Sequence, residues 1–423
     1  MFFLLYKYYL SLKMKKIFNV LLLSFLIFSL NGFTQEIDSL VFKTDRLLEF
    51  GIKNEAYPGA QVLIFKNDTI RLNKTYGFQT YDSLVPIEKH HLYDLASVTK
   101  ILASTLAFMK LYELYNLNLD QKVATYVPSL KRSNKKNSSL REVLSHSGGW
   151  EPYIAHQNLV FNKRGRFKTR TISYKQNKKF PLQISDSLFI HKKYFKKIYR
   201  RIRKTKLNNL GEYRYSGLWF FLLPEITKQL SGSSFSEFLQ TYFYTPLKTE
   251  RLGFLPSKKY SKSEIVPTEN DSIFRKQLVQ GWVHDEAAAM MGGISGNAGL
   301  FSNAASLKPL LQMLLQNGNY NGKQYLKPET IKKFTQRSYP NSNNRRGLGF
   351  DKPSIDPESN YPSLLASPSS YGHSGFTGTF IWVDPTNKCF LIFLSNRVYP
   401  SRNQRKLYSL DIRGKLLDYA IQF

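Results

Sequence analysis

The chain has 423 residues, 42% of them hydrophobic and 15% aromatic, which excludes a largely disordered protein and allows roughly two to three domain-sized units or one interleaved core. A formal charge of +31 predicts attraction to polyanions, although a generally lysine-rich composition produces the same surface with no dedicated partner. The single cysteine, Cys389, excludes an internal disulfide and any CxxC metal or redox site, and its apolar run Cys389-Phe-Leu-Ile-Phe-Leu reads as core.

At the amino end, Lys15-Lys16 precede the apolar stretch Ile17 to Leu30, and Gly32-Phe33-Thr34 offers small residues where a signal peptidase cuts. Residues 1–34 therefore read as a signal peptide, with Met14 as an alternative start. The apolar core is shorter than a comfortable membrane span, and no nearby cysteine could carry a lipid. The mature chain is expected to be exported, periplasmic or extracellular, with no transmembrane segment.

Residues 36–56 predict a helix packing Leu40, Val41, Leu47, Leu48 and Ile52, broken by Pro58-Gly59. Two alternating runs follow, Gln61 to Phe65 and Thr69 to Tyr76, joined as a hairpin through Lys66-Asn67-Asp68. Asp94-Leu-Ala-Ser97-Val-Thr-Lys100 reads as an extended lead-in to an amphipathic helix with Ile101, Leu102, Leu106, Met109 and Leu111 facing a core. Ser97 and Lys100 then project from one face, and a serine hydroxyl becomes a nucleophile when a base stands within hydrogen-bond reach. The helix N-terminus would favour an oxyanion near Ser97. Taken alone, the same four residues also describe a helix cap followed by a surface lysine.

Residues 121–130 begin a more helical middle, and the helix from Leu140 is expected to stop at Gly148-Gly149. Residues 163–206 carry a dense run of lysine and arginine against the one acid Asp186, with aromatics interleaved. That mixture makes a nucleic-acid surface conceivable. However, Tyr194, Phe195, Ile198, Tyr199 and Ile202 recur at helical spacing, which argues for a packed apolar face and solvated cations instead. Glu212 to Gly217 opens an apolar helix, Leu218 to Leu230, ended by Ser231-Gly232, and further helices run through Phe235–Tyr244 and Leu307–Gln316. Gly378 to Val383 and Cys389 to Leu394 form a second hairpin around Asp384-Pro385, before a closing helix over 405–421.

Strands at both ends with a helical middle predict an α+β fold, an α/β sandwich whose antiparallel sheet is built from both chain ends and flanked by helices. Residues 36–423 would form one domain, with 37–110 and 275–423 making the sheet part and 111–274 a mostly helical insertion that includes the basic region 163–206. The histidines show no HExxH-like spacing, and no phosphate-cradling or dinucleotide motif is present, so neither a metal nor a cofactor is expected.

Three segments combine: Ser97-Val-Thr-Lys100, Tyr215-Ser-Gly217, and Gly372-His373-Ser374-Gly375-Phe376 just before or on a strand. Their order and spacing resemble the serine β-lactamase and penicillin-binding-protein superfamily, with its hallmarks S-x-x-K, Y-x-N and K/H-x-G. The chain looks most like the class C-like branch of β-lactamase-related serine hydrolases, which includes esterases and D-alanyl-D-alanine peptidases. Further matching stretches are Leu144 to Gly149, Pro246-Leu247, Val283 to Asp285, Asn297 to Ser302 and Ser395 to Arg397, so that the likeness spans about residues 37–422. It implies that Ser97 is the acylated nucleophile and that Lys100 accepts its proton or holds the proton network. Tyr215 would pass a proton to the leaving group and then activate water. His373 would line the cleft where other members have lysine, binding a substrate carboxylate or orienting Tyr215. Ser374 and Gly375 would edge the substrate site, and the N–H groups of Ser97 and Phe376 would form the oxyanion hole.

One position departs from the pattern. Gly217 stands where the family usually has Asn, whose side chain contacts the substrate amide and the lysine. Three readings follow: an enzyme for less demanding esters, replacement of the missing contacts by a neighbouring polar group or water, or lost catalysis. The expected function is an exported serine hydrolase acting on a small ester or amide, plausibly D-amino-acid cell-wall peptides or β-lactam-like compounds. The alternative is a catalytically silent protein that binds wall peptides. The partners expected are a small-molecule or peptide substrate and an envelope polyanion held by the basic region, and not nucleic acid.

Overall fold

The computed structural model describes residues 36–423 and, before them, residues 1–3, 6, 9, 14 and 19. The signal peptide expected at 1–34 thus lies, apart from those isolated positions, outside the described residues. Among the described residues no helix is long and apolar enough to cross a membrane.

Alternation along β1 (Gly59–Lys66) sends Val62 and Ile64 to one side and Leu63 and Phe65 to the other, and both sides are buried. β1 pairs with β2 (Thr69–Gly77), whose exposed and half-buried pattern marks it as the edge. The turn between them places Asn67 and Asp68 at φ of 50° and 60°, which suits a tight hairpin. On its other side β1 pairs with the carboxyl-terminal strand β5 (Cys389–Ser395), Leu63 opposite Ile392. The sheet is completed by β4 (Phe380–Asp384) and β3 (Tyr371–Ser374), giving the antiparallel order β3-β4-β5-β1-β2. The whole of β5, Cys389 included, is buried, because helices cover both faces of the sheet.

On one face lie the helix α1 (36–53) and the closing helix α6 (Ile412–Gln422), whose Leu40, Leu47, Leu48, Leu416 and Leu417 pack on Val62, Ile64, Trp382 and Phe393. On the other, α5 (Ala304–Leu315) meets Leu63, Ile381, Ile392 and Leu394. Truncating one such side chain, Ile392→Ala for instance, would cost about 2–5 kcal/mol. This is an α+β fold, as strands at both chain ends around a helical middle predict.

Further helices pack into the same core as α5. Among them, α2 (Leu106–Tyr115) packs against α4 (Leu223–Ser231) and the helix Pro328–Thr335. Here the structure departs from the sequence reading. The segment after Ser97 is a 3-10 turn, Ala96–Val98, then a π-helical stretch, Lys100–Thr105, and only then α2. It is also not amphipathic: Thr99, Lys100, Ser104 and Thr105 are buried along with Ile101 and Leu102, because the segment sits inside the core that these helices share with α5. The helix Leu140–Leu144 stops before Gly148, because His146 adopts a left-handed conformation at φ 59° and turns the chain. The basic stretch forms α3 (Tyr194–Lys204), with Tyr194, Ile198 and Ile202 packed inward. Ahead of α3, though, stands a small three-stranded sheet (Ile172–Ser173, Leu188–Ile190, Leu182–Ser185) that the helical expectation for this region did not contain.

Candidate active site

Ser97 owes its position to a sharp turn. The short strand Tyr93–Asp94 pairs with Leu300–Ser302, and the next residue but one, Ala96, sits at φ 46°, a conformation costing a non-glycine residue about 1–2 kcal/mol. Asp94 stabilises it: one carboxylate oxygen accepts the Ala96 N–H at 2.8 Å and the other the His284 N–H at 2.6 Å. Burial pushes the Asp94 carboxyl above its usual range, and these two N–H bonds oppose the shift. Thr377 and Thr379, in the loop after β3, donate to the carbonyls of Asp94 (2.7 Å) and Leu95 (3.0 Å). At Gly375 a Cβ would meet Leu95 O at 2.6 Å and Thr379 Oγ1 at 2.0 Å, so only glycine lets the end of β3 approach the serine turn this closely.

Lys100 Nζ donates to Ser97 Oγ at 2.9 Å and to the Asn297 carbonyl at 3.0 Å. With the amine neutral, the same contact would let Lys100 Nζ accept the serine proton. Both residues line a cavity of about 430 Å³ together with Tyr215, Gly217, Phe376, Asn297, Asp285, Glu286 and Arg402. Phe376 is 44% exposed there; its carbonyl is fixed by Arg397 Nε at 3.0 Å, and its ring stacks on His284. Gly375 N–H donates to Thr379 O at 2.7 Å and Gly378 N–H to Gly375 O at 3.2 Å, so the Phe376 amide takes no part in the turn's own bonds.

The Tyr215 segment is held by the turn after Leu140–Leu144. His146 Nδ1 accepts the Ser216 N–H at 3.1 Å, Ser216 Oγ donates to Glu151 O at 2.7 Å, and Gly217 N–H donates to Pro152 O at 3.2 Å. The His146 ring lies 4.6 Å from that of Tyr215, and Lys100 Nζ is 5.5 Å from the Tyr215 centroid.

Of the predicted site residues, Ser97, Lys100, Tyr215 and Phe376 share one cavity. His373 and Ser374 are not among its lining residues. His373 is buried beside Tyr215, with ring centroids 5.9 Å apart and Nδ1 2.7 Å from the Ser374 carbonyl. Burial, helped by Arg346 and Lys100, pushes its imidazole down to about 3. Its ring is thus enclosed next to Tyr215 and apart from the cavity's lining residues.

The beta-lactamase family model matches residues 44–413. The chain belongs to that family. An Escherichia coli K12 protein named "Putative D-alanyl-D-alanine carboxypeptidase" is 30% identical over 368 residues, covering 81% of this chain and 79% of its own. Among solved structures, the octameric penicillin-binding protein homologue from Pyrococcus abyssi has a TM-score of 0.63 at 21% identity, covering 88% of this chain and 76% of its own. EstCE1, described as a hydrolase with promiscuous acyltransferase activity, has a TM-score of 0.65 at 17% identity, covering 91% and 99%. The protein is thus a serine hydrolase of the β-lactamase fold.

Several residues of the site escape sequence reasoning. His146 lies in a stretch that matches the family, yet alone it reads as a loop histidine. Arg346 stands 5.1 Å from the Tyr215 ring and pairs with Asp351, and nothing in Arg345-Arg346 as sequence marks it. Arg402, on the cavity wall, is gripped by Glu269 and by Glu286 (2.8 Å), while Glu269 also binds His284 Nε2 at 2.7 Å. Burial works against the Glu269 charge, but those partners outweigh it and hold the carboxyl down to about 2.

Proposed function

We propose that the protein is an exported hydrolase that forms an acyl-enzyme on Ser97 and acts on a small ester or amide, with D-amino-acid cell-wall peptides or β-lactam-like compounds as the substrate class. The observation that carries this reading is the 2.9 Å contact between Lys100 Nζ and Ser97 Oγ on the wall of a cavity shared with Tyr215. Ser97 Oγ attacks the substrate carbonyl and its proton passes to Lys100 or Tyr215. The N–H groups of Ser97 and Phe376 receive the oxyanion, and Tyr215 returns the proton to the leaving group. Water then repeats the sequence against the acyl-enzyme, with Tyr215 as base. The name of the E. coli relative supports a D-amino-acid peptide substrate, that of the Pyrococcus homologue a penicillin-like compound, and that of EstCE1 acyl transfer by a hydrolase. Export rests on Lys15-Lys16 and the apolar run after them.

Intact-mass analysis after incubation with a penicillin and, separately, with an activated ester tests the reading. A Ser97 adduct or ester turnover, each absent in Ser97→Ala, supports it. Turnover that survives Ser97→Ala sinks the nucleophile assignment. Neither adduct nor turnover would favour the silent wall-peptide-binding protein, with Gly217 as its motivating feature.

The basic region is proposed to hold the enzyme to an acidic envelope polymer. On α3 the cations at 196, 197, 200 and 204 are exposed, whereas Arg201 turns inward and donates to Tyr194 Oη at 2.9 Å. Reversing charge at Lys196, Lys197 and Arg200 should abolish salt-sensitive retention on isolated anionic wall polymer; retention unchanged by these reversals would refute the patch.

A further inference from the structure

A permanent cation stands beside Tyr215. Arg346 is 3% exposed, and its guanidinium carbon lies 5.1 Å from the Tyr215 ring centroid. The other groups around this ring are Lys100 at 5.5 Å, His146 at 4.6 Å and His373 at 5.9 Å. Burial, and after it the charge of Arg346, keeps both imidazoles neutral: His373 is pushed down to about 3, and His146 well below its ordinary value. Of the groups around the phenol, Arg346 is the one whose charge does not titrate. Arg346 is itself anchored by Asp351, 3.3 Å from its Nε, and Nε and Nη2 donate to the Tyr213 hydroxyl at 3.4 and 3.3 Å. Asp351 also takes Arg345 at 2.8 and 3.1 Å and the Tyr361 hydroxyl at 2.8 Å. Arg346 Nη1, His146 Nε2 and His373 Nε2 are buried with no hydrogen-bond partner among the described residues, so three polar nitrogens close to Tyr215 are committed to nothing else.

Resting on the hydrolase reading above, we infer that Arg346 is a positioning residue for Tyr215, stabilising negative charge on the phenol oxygen whenever that oxygen carries no proton. The proton balance shows where this matters. As Ser97 Oγ bonds the substrate carbonyl carbon, its proton passes to the anionic Tyr215 oxygen. As the bond to the leaving group breaks, that proton moves to the leaving group and the tyrosine is anionic again. In deacylation, water bonds the acyl carbon, and its proton reaches Tyr215 and then Ser97 Oγ as the ester bond breaks. Lys100 Nζ, 2.9 Å from Ser97 Oγ, is an amine that can exchange a proton with the serine, so its charge is not a fixed part of the field. A guanidinium does not titrate, and Arg346 supplies the constant part of the field. In a buried site such a field acts over about 5 Å with little screening.

The test uses the mature chain and an activated ester, comparing the parent with R346M, R346K, Y215F and the double variant Y215F/R346M. R346M is expected to lower kcat about tenfold to a hundredfold with KM changed less than about twofold. R346K, which retains the charge, should return kcat to within about fivefold of the parent. In the Y215F background R346M should cost less than about twofold, because its effect passes through the phenol. Where melting shows that R346M does not fold, R346Q takes its place. Unchanged kcat in R346M, an equal loss in the Y215F background, or no advantage of R346K over R346M overturns the inference while leaving the hydrolase reading intact. A parent with neither turnover nor Ser97 adduct overturns both.

Discussion

Replacing Gly217 by Asn restores the side chain that the family usually places beside the catalytic lysine, and the structure indicates that it fits. A Cβ at Gly217 would have one atom within 4 Å, the Pro152 carbonyl at 3.9 Å, and the backbone lies outside the left-handed region. Gly217 lines the same cavity as Ser97, Lys100 and Tyr215, so an amide added there reaches the reaction space. Losing a flexible glycine from the unfolded chain should stabilise by about 0.4–1 kcal/mol. One new hydrogen bond to Lys100 or to a substrate amide, at about 1–2 kcal/mol, corresponds to about a five- to thirtyfold gain in acylation. The gain should appear in kcat/KM for a chromogenic cephalosporin and stay below about threefold for an activated ester, whose leaving group needs little help. Melting controls for fold. A fall in Tm beyond about 5 °C would refute the open-space argument. Cephalosporin kcat/KM within about twofold of the parent would refute the view that Gly217 limits turnover of such substrates.

Three further outcomes follow from the buried groups and clamps. His373 stays neutral in the native state down to about 3 but gains a proton when unfolded below its ordinary value of 6.5, so the unfolded state binds more protons and stability falls as pH drops through that window. Denaturant midpoints measured across it should show His373→Gln removing up to about 1.4 kcal/mol per pH unit of that slope; parallel slopes would contradict the assignment. Asp351→Asn leaves Arg346 and Arg345 without their carboxylate and should cost about 3 kcal/mol in urea unfolding, with a loss below about 1 kcal/mol counting against the charge network. Thr379→Val removes the bond to Leu95 O and should cost about 1 kcal/mol while lowering ester kcat about tenfold through a loosened serine turn; unchanged kcat would show that the clamp is dispensable.

Much of the scaffold is legible in the chain itself. The alternating runs at Gln61–Phe65 and Thr69–Tyr76, and the apolar run Cys389–Leu394 beside its turn, predict the two hairpins that meet in one sheet as β1–β2 and β4–β5. The amphipathic spacing over Tyr194–Ile202 predicts α3, and Ser97 and Lys100 three residues apart predict a contact that the structure places at 2.9 Å. These features depend on propensity, periodicity and turn chemistry within a few residues, so they can be read locally. Other features could not be read in that way. The stretch after Ser97 resembles an amphipathic helix, but in the structure it is π-helical over Lys100–Thr105 and buried throughout, Lys100 included. His373 has the expected place in sequence, yet packing removes it from the cavity wall and keeps it neutral. Arg346, His146 and Lys100 reach Tyr215 from separate segments, and the cavity wall pairs Arg402 with Glu286, which stands 116 positions before it. Residue types and local geometry are properties of short stretches of chain. The field at Tyr215 and the choice of which charges stay buried depend on distances through space, and only the folded core sets those.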